Sequence, residues 1–450
     1  MNRAIYLVFG AVILGAVFLA CYLPDLGHGF IRDDFRWIRS SRSADLRQLV
    51  TLFSTNVGFY RPLVSVSFAA DYAVWGLNPL GYGVTNLMFC VADAVLLFLL
   101  ARRLTLPASA AAIAAGVWAF NFHGINMALL WLSGRTALLA ALFALATAHA
   151  VLRGWRLAAG LLCLAAMLCK EEAVLLPALF VVFTGLDRWR AGPSPVWRHV
   201  VGETWALWVA LAIYAALRMH SGAFGPADAP SYYQFSFSPG LVWRNLGEYA
   251  DRIATASVGV VIVLVAACGW KGHGFSDAER RTLLLAGIWI PAMCALTMFL
   301  PLRSSLYAVL PSIGASLAAG AFASRAARAD GVRFQRVAIA LVVIVALTTP
   351  IYRSRNQRWV QPADLSTRLM QSIADATRGE GRTGRIVLID SPGERLNLEA
   401  AFGGLFADAV ALMLGDGWMG EIAPSDAPPP SSQALVFRLR NGELVPIPPD

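Results

Sequence analysis

Residues 132–172 read LSGRTALLAALFALATAHAVLRGWRLAAGLLCLAAMLCKEE. Two apolar stretches, 132–152 and 156–169, are joined by a turn holding Arg153 and Arg156, and the second runs into Lys170-Glu171-Glu172. In helical form about 20 such residues span a bilayer. The basic turn then belongs at one membrane face, with Ser133, Arg135 and the Lys170-Glu171-Glu172 cluster at the other. Apolar runs recur on both sides, at 4–23, 84–101, 107–121, 172–186, 200–218, 253–270, 282–300, 304–322 and 336–351. The expected fold class is an all-α polytopic membrane protein of about 11 transmembrane helices. The run at 4–23 is long enough to span and no small-residue cleavage site follows it, so it reads as an uncleaved signal anchor.

Composition agrees. Hydrophobic residues make up 57% of the chain, mean hydropathy is +0.59 and charged residues are only 14%, against about 25% in soluble chains. The net charge of +9 reads as anchoring of cytoplasmic loops, not as a nucleic-acid footprint, so no nucleic-acid partner is expected. Cys21, Cys90, Cys163, Cys169, Cys268 and Cys294 all fall in or beside apolar runs, with neither metal-ligand nor disulfide spacing.

The distribution of arginine and lysine sets the expected orientation. With the N-terminus in the cytoplasm, alternate loops carry Arg102 and Arg103; Arg153 and Arg156; Arg188, Arg190 and Arg198; Lys271, Arg280 and Arg281; and Arg325, Arg328, Arg333 and Arg336. The opposite loops, 24–83, 122–131, 170–171, 219–252 and 301–303, and the tail from 352, are poorer in both for their length. The expected location is the bacterial inner (cytoplasmic) membrane, with the tail periplasmic or extracellular. Loops 24–83 and 219–252 are rich in aromatics, including Trp37, Phe53, Phe59, Tyr60, Phe68, Tyr72, Trp75 and Tyr82 in the first and Phe224, Tyr232, Tyr233, Phe235, Phe237 and Trp243 in the second. These suit short helices lying in the membrane interface.

Residues 1–351 thus read as a transmembrane domain and 352–450 as a separate, small, soluble α/β domain on the outer face. In the tail, 365–377 has an amphipathic helical pattern, RIVLID (385–390) is a buried strand followed by the turn Ser391-Pro392-Gly393, and 398–414 is helical. ALVFRLRNGELVPI (434–447) is a hairpin around Asn441-Gly442, and 424–430 is a Pro-rich loop.

The unusual polar residues gather at the outer end of the spans. They are Asp33 and Asp34, Arg61, Asn121, His123 and Asn126, Ser133 and Arg135, the Lys170-Glu171-Glu172 cluster, Arg218 and Arg303. Charges at membrane depth are costly and so line polar cavities or pair with each other. Paired carboxylates among several cations suit a reaction on a phosphate-bearing lipid. Cations hold the phosphate, and a carboxylate takes the proton of an acceptor hydroxyl. The candidate catalytic residues are Asp34, as general base, and Asp33. Arg61, Lys170, Glu171, Arg303, Arg218 and His123 are the candidates for binding a lipid phosphate or sugar.

Five segments occur in an order that resembles a known family: RDDFRWI (32–38), FYRPLVSVSFAADYAVWGLNPLGYGVTNL (59–87), NFHGINMALLWLSGRTALLAALF (121–143), MLCKEEAVLLP (167–177) and RSSLYAVLPSIG (303–314). They are similar to the polytopic C-type (GT-C) glycosyltransferases, in their protein O-mannosyltransferase-related branch. That branch includes the transmembrane O-mannosyltransferases with tetratricopeptide repeats. The third segment differs, with Asn121-Phe122-His123-Gly124 where two histidines around a proline are usual, and the tail carries no tetratricopeptide pattern. The resemblance implies a GT-C-like fold and transfer of a sugar from a polyprenyl-phosphate donor to a protein, glycan or lipid acceptor outside the cytoplasm. It implies an acidic catalytic pair at Asp33 and Asp34, commonly inversion at the anomeric carbon, membrane lipids as surroundings, and, in some relatives, a divalent cation. Two other readings stay open on the sequence: a transporter or flippase of a lipid-linked saccharide, and an enzyme-like scaffold whose tail recruits partners.

Overall fold

The computed structural model describes residues 3–42, 46–54, 59–192, 196–223, 231–269, 274–378, 383–390, 396–424 and 434–447. Phe224, Lys271, the Ser391-Pro392-Gly393 turn and residues 425–430 lie outside them. The helices are α1 (Arg3–Tyr22), α2 (Asp33–Ser41), α3 (Leu46–Thr51), α4 (Pro62–Trp75), α5 (Pro79–Arg103), α6 (Ala108–Ala119), α7 (Gly124–Leu130), α8 (Arg135–Leu152), α9 (Arg156–Met167), α10 (Leu176–Ala191), α11 (Val196–His220), α12 (Pro239–Cys268), α13 (Asp277–Cys294), α14 (Val309–Ala329), α15 (Gly331–Leu347), α16 (Thr349–Ala376), α17 (Leu398–Phe402) and α18 (Phe406–Leu414). The strands are β1 (Gly384–Ile389), β2 (Trp418–Ala423), β3 (Ala434–Arg440) and β4 (Glu443–Ile447).

Each of the eleven apolar runs is helical. Five stretches among the described residues are long and apolar enough to cross a membrane: Pro79–Arg103, Leu132–Leu152, Val196–His220, Pro239–Cys268 and Ser305–Ala329. The number rises to 7 if α6 with α7 (bent by 63°) and α15 with α16 (bent by 43°) each count as one span. Local chemistry sets the ends. Asn78 accepts the Leu80 N–H at 3.2 Å ahead of Pro79, Ser276 and Glu279 form a capping box for α13, and Asp330 takes the N–H groups of Val332 and Arg333 to start α15. Small residues let helices meet closely: a Cβ on Gly320 of α14 would stand 2.9 Å from the Ala114 side chain on α6. All six cysteines are free and buried.

The loop at 24–83 differs from expectation. It does contain short helices, but Trp37, Tyr60, Phe68 and Tyr82 turn inward, while Trp75 stays exposed. Trp37 stacks on Phe68 (6.1 Å between centroids), Phe68 meets Tyr82, and all three are buried. The cause is Arg135, whose guanidinium lies 4.4 Å from the Phe68 ring and draws an aromatic shell around itself. The second loop keeps the expected exposed character at Tyr232, Phe235, Phe237 and Trp243.

The tail is likewise not a detached unit. α16 runs without interruption across residues 351 and 352. The sheet has order β2-β1-β3-β4, with β1 parallel to both β2 and β3, and β3 antiparallel to β4 across Asn441-Gly442. Both turn residues have positive φ, 53° and 81°, as a two-residue hairpin turn of this kind requires. The strand Trp418–Ala423 had no sequence expectation, and the helical stretch 398–414 is two helices broken at Gly403-Gly404. Phe402 packs on Phe35 of α2, and the apolar core is continuous from the bundle into the tail. The tail and α2 therefore share one side of the bundle, and α1 leads from the other.

Candidate active site

Arg32 precedes α2 with φ 48°, a conformation side chains with a Cβ rarely take. Its N–H donates to the Ala401 carbonyl (3.0 Å) and its Nε to the Ala400 carbonyl (3.2 Å), so the tail holds this turn. Strain of this sort tends to gather at functional sites.

The turn separates the fates of the two aspartates. Asp34 is fully buried. Its Oδ2 accepts the Ile31 N–H at 3.1 Å, and its Oδ1 accepts the Ser133 N–H at 2.8 Å and the Ser133 hydroxyl. Burial pushes its carboxyl up to about 7, against those donors. Gly134 makes the approach feasible: a Cβ there would stand 2.7 Å from the Ala128 Cα. Arg135, next in sequence, is buried as well. It pairs with Asp71, donates to Asn86 Oδ1 at 2.8 Å and ties α4, α5 and α8 together. Ser133 and Arg135 thus build the frame.

Asp33 is half-buried and makes neither a salt bridge nor a side-chain hydrogen bond among the described residues. Burial raises its pKa, while Arg36, Arg61 and Arg32 act against the rise. The expected base, Asp34, therefore has both oxygens committed to the protein. The free carboxylate at this point is its neighbour.

Beside Asp33 lies a group of shared ion pairs. Arg61 stands ahead of Pro62 at the start of α4, with its guanidinium 4.4 Å from the Phe59 ring. It grips Glu171 with Nη2 at 2.8 Å and Nε at 3.2 Å. Arg218, at the end of α11, reaches the same carboxylate at 3.7 Å and donates to the Tyr214 hydroxyl at 2.7 Å. Burial favours a neutral Glu171, but Arg61 and then Arg218 outweigh it and lower its pKa. A second group repeats the pattern. Arg303 and Arg252 both pair with Glu248, the latter at 2.7 Å, and Arg252 also donates to the Arg303 carbonyl at 3.2 Å. Each group holds two cations and one anion. Lys170 differs from both. It is 2% exposed, its Nζ lies 2.6 Å from Glu172, and the Tyr307 ring is 4.7 Å away. Its charge is spent inside the protein, which leaves it unsuited to the phosphate role expected for it.

Tyr307 links the two groups, since it faces Lys170 on one side and Tyr249, one residue from Glu248, on the other (6.5 Å). His123 lies at the edge of the second group, 3.6 Å from the exposed Asp251. Asn121 caps α7 by accepting the N–H groups of His123 and Gly124, and it donates to the Arg252 carbonyl at 2.9 Å. The structure therefore collects Asp33, Arg61, Glu171 and Arg218 in one group. Arg303 and His123 stand in the adjoining one. Sequence reading missed Glu248, Arg252, Tyr214 and Tyr307. The Glu248/Arg252 spacing of four, just ahead of the apolar run of α12, was the available signal. The divalent cation allowed by the resemblance finds no fitting ligand set. Arginines engage Glu171 and surround Asp33, and no three His, Cys, Asp or Glu side chains converge among the described residues.

Bundle and site together define an integral membrane protein with a strongly polar site at one end of its helices. The chain is similar to protein O-mannosyl-transferase Tmtc1 of Drosophila melanogaster, at 33% identity over 179 residues, covering 35% of this chain. It spans 21% of that relative's length. This similarity agrees with the family resemblance carried by the five sequence segments. No family model matches. Among solved structures, ArnT from Cupriavidus metallidurans bound to undecaprenyl phosphate aligns with a TM-score of 0.48 at 18% identity, over 84% of this chain and 73% of that one. Its apo state gives 0.47 at 17%, over 82% and 72%. Both scores mark a loose likeness.

Proposed function

We propose that this protein is a GT-C-type glycosyltransferase that moves a sugar from a polyprenyl-phosphate donor to an acceptor hydroxyl, with Asp33 as general base. The observation that carries this reading is a free carboxylate beside Arg61, in the first of two adjoining groups in which two arginines share one glutamate. The second group has a surplus positive charge, suited to a phosphate, and in the first the two arginines outnumber Glu171 and also face Asp33. Asp33 has the unoccupied lone pairs a base needs.

In the proposed reaction the acceptor oxygen forms a bond to the anomeric carbon as the bond from that carbon to the phosphate oxygen breaks. The leaving phosphate keeps the electron pair, and Arg61, Arg218, Arg303 and Arg252 stabilise its charge. Asp33 takes the acceptor proton and later returns it to water. Attack opposite the leaving group inverts the centre. Asp34 is a positioning residue, since it fixes the 31–34 turn to Ser133.

The orientation belongs to the same proposal. The N-terminus is cytoplasmic, and the Asp33 end and the 352–450 domain lie outside the cytoplasm of a bacterial inner membrane. Periplasm-dependent reporters should be active when fused after Asp390 and silent after Arg190. The similar relative's name makes a mannosyl donor and a protein hydroxyl the first pair to assay. Purified protein should transfer labelled sugar from polyprenyl-phosphate mannose, or another polyprenyl-phosphate hexose or pentose, and Asp33→Asn should abolish it. Movement of a lipid-linked sugar across vesicles, with no product from any donor and acceptor offered, would replace this reading with the transporter.

A further inference from the structure

Four helices that reach the candidate site have their other ends together. α8 ends at Leu152, α10 passes Asp187 near its end, and α11 and α13 begin near His199 and Arg281. At 1.5 Å per residue, the 18 residues of α8 place these ends ~27 Å from Asp34, close to the ~30 Å of a hydrocarbon core. Between them lies a cavity of about 290 Å³ lined by Asp187, His199, Glu203 and Arg281, among others.

Its two carboxylates are already matched: Asp187 takes Arg281 at 2.8 Å and Glu203 takes Arg156 at 2.8 Å. Two further cations stand at the rim. Arg103 donates to the carbonyl of Leu152, which lines the cavity, at 3.4 Å, and Arg153 follows Leu152 in the chain. Neither makes a salt bridge among the described residues, and Arg153 and Arg281 act on Arg103 as like charges. Arg103 Nε is out of water and has no hydrogen-bond partner there. Gly154 lines both this cavity and a mainly apolar groove of about 650 Å³ along Trp155, Arg156, Leu157, Ala158 and Trp205. Leu157 is 68% exposed and Trp205 41%. Arg153 lies over the Trp155 ring at 4.5 Å, where rim and groove meet.

We propose that this end of the bundle binds an anionic membrane lipid, its phosphate between Arg103 and Arg153 and its acyl chains in the groove over Leu157 and Trp205. Loop arginines that only set topology need neither a cavity nor an adjoining groove. A free phosphate would use the rim alone, and a neutral lipid the groove alone. An amphiphile with a net negative head uses both. The site is a bilayer's thickness from the proposed transfer site and does not depend on that function.

The test uses the full-length protein in non-ionic detergent, read by native mass spectrometry and by thermal melting. The ligands are dioleoyl phosphatidic acid, dioleoyl phosphatidylcholine and inorganic phosphate. Phosphatidic acid should bind and stabilise at least tenfold better than phosphatidylcholine, and inorganic phosphate should do neither. Arg103→Gln and Arg153→Gln should each weaken phosphatidic acid about fivefold, and Leu157→Gln should weaken both lipids. Arg103→Lys and Arg153→Lys keep the charge should the glutamine variants insert poorly, and they should retain binding. Asp33→Asn should bind phosphatidic acid as the parent does. Equal retention of the two lipids, stabilisation by inorganic phosphate matching that of the lipid, or binding untouched by both glutamine variants would overturn the proposal.

Discussion

The two ends of the helical bundle are built from the same residue types and use them differently. At the Asp33 end two arginines share each of Glu171 and Glu248. At the opposite end four carboxylates each have their own arginine: Asp187 with Arg281, Glu203 with Arg156, Glu279 with Arg328 and Asp330 with Arg333. A count of arginines does not tell the ends apart. The sharing of carboxylates and the burial of the arginines, 14–29% exposed at the Asp33 end and 38–65% at the other, do. One-to-one pairs near water contribute at most about 1 kcal/mol, whereas surplus cations in a covered site can act on a ligand.

The largest expected effect falls on the one carboxylate that the Asp33 end leaves free. Asp33→Asn keeps the shape and cannot accept a proton. Turnover of polyprenyl-phosphate sugar should fall by about 10²–10⁴-fold with donor KM nearly unchanged. The pH profile sharpens the point. Burial raises the Asp33 pKa, and the base works only when ionised. The acidic limb of kcat/KM should therefore lie above the ordinary carboxylate range of about 4, with activity lost as pH falls through it. A limb at or below the ordinary range, or wild-type turnover in Asp33→Asn, would remove the base role and with it much of the contrast between the ends.

Asp34 should respond in another way. An asparagine there must turn its amide nitrogen toward either the Ile31 N–H or Ser133, both donors to the native carboxylate. A buried donor left unpaired costs about 1–3 kcal/mol. Lower thermal stability of the purified protein, with a smaller loss of turnover per folded molecule than in Asp33→Asn, is the expected result. A fully folded, inactive Asp34→Asn would exchange the two roles.

Next in size is phosphate binding. Charge-assisted hydrogen bonds contribute roughly 1.5–3 kcal/mol, so Arg61→Gln and Arg252→Gln should each raise donor KM by about tenfold or more. Arg333→Gln, an exposed arginine paired within its own helix, should leave it unchanged. Equal effects from both ends would show that the arginines act through general folding or insertion.

These expectations also show what the sequence could and could not reveal. Periodicity and length were enough to find the apolar helices, because a chain in a bilayer must satisfy its backbone within each span, but not the continuity of α16 across 351 and 352. Asp33, Arg61, Glu171 and Arg218 stood out because charge beside apolar runs is rare. What stayed hidden depends on contacts far apart in the chain. Adjacent aspartates look alike until Ser133, 99 residues on, takes one of them. Lys170 looks like a phosphate ligand until Glu172 and Tyr307 enclose it. The inward aromatics of 24–83 follow from Arg135, and the docking of the tail from aspartates nearly 370 residues beyond α2.

That docking gives the smallest expected effect. α2 carries the aspartates at its first turn and Arg36 and Arg39 along the rest, and Arg42 follows its last residue. Asp408 receives Arg36 at 3.1 Å and Arg39 at 2.8 Å, and Asp416 receives Arg39 at 3.2 Å and also Arg42. Three arginines share two carboxylates here, much as two share one in each group of the candidate site, but this contact lies mostly nearer water. The arginines are a third to a half exposed except Arg42 (24%), so each pair contributes at most about 1 kcal/mol. The apolar contact of Phe35 with Phe402 holds the interface when the ion pairs are lost. Asp408→Asn with Asp416→Asn should therefore leave the protein folded, loosen α2 and lower kcat by about fivefold, since precise placement of a base governs the chemical step. Donor KM should not move, because Arg61 and Arg252 lie outside this contact. Added salt should narrow the gap between the parent and the double variant, since it screens exposed pairs. A rise in donor KM without loss of kcat would mean that the tail supports the phosphate-binding arginines instead of the base.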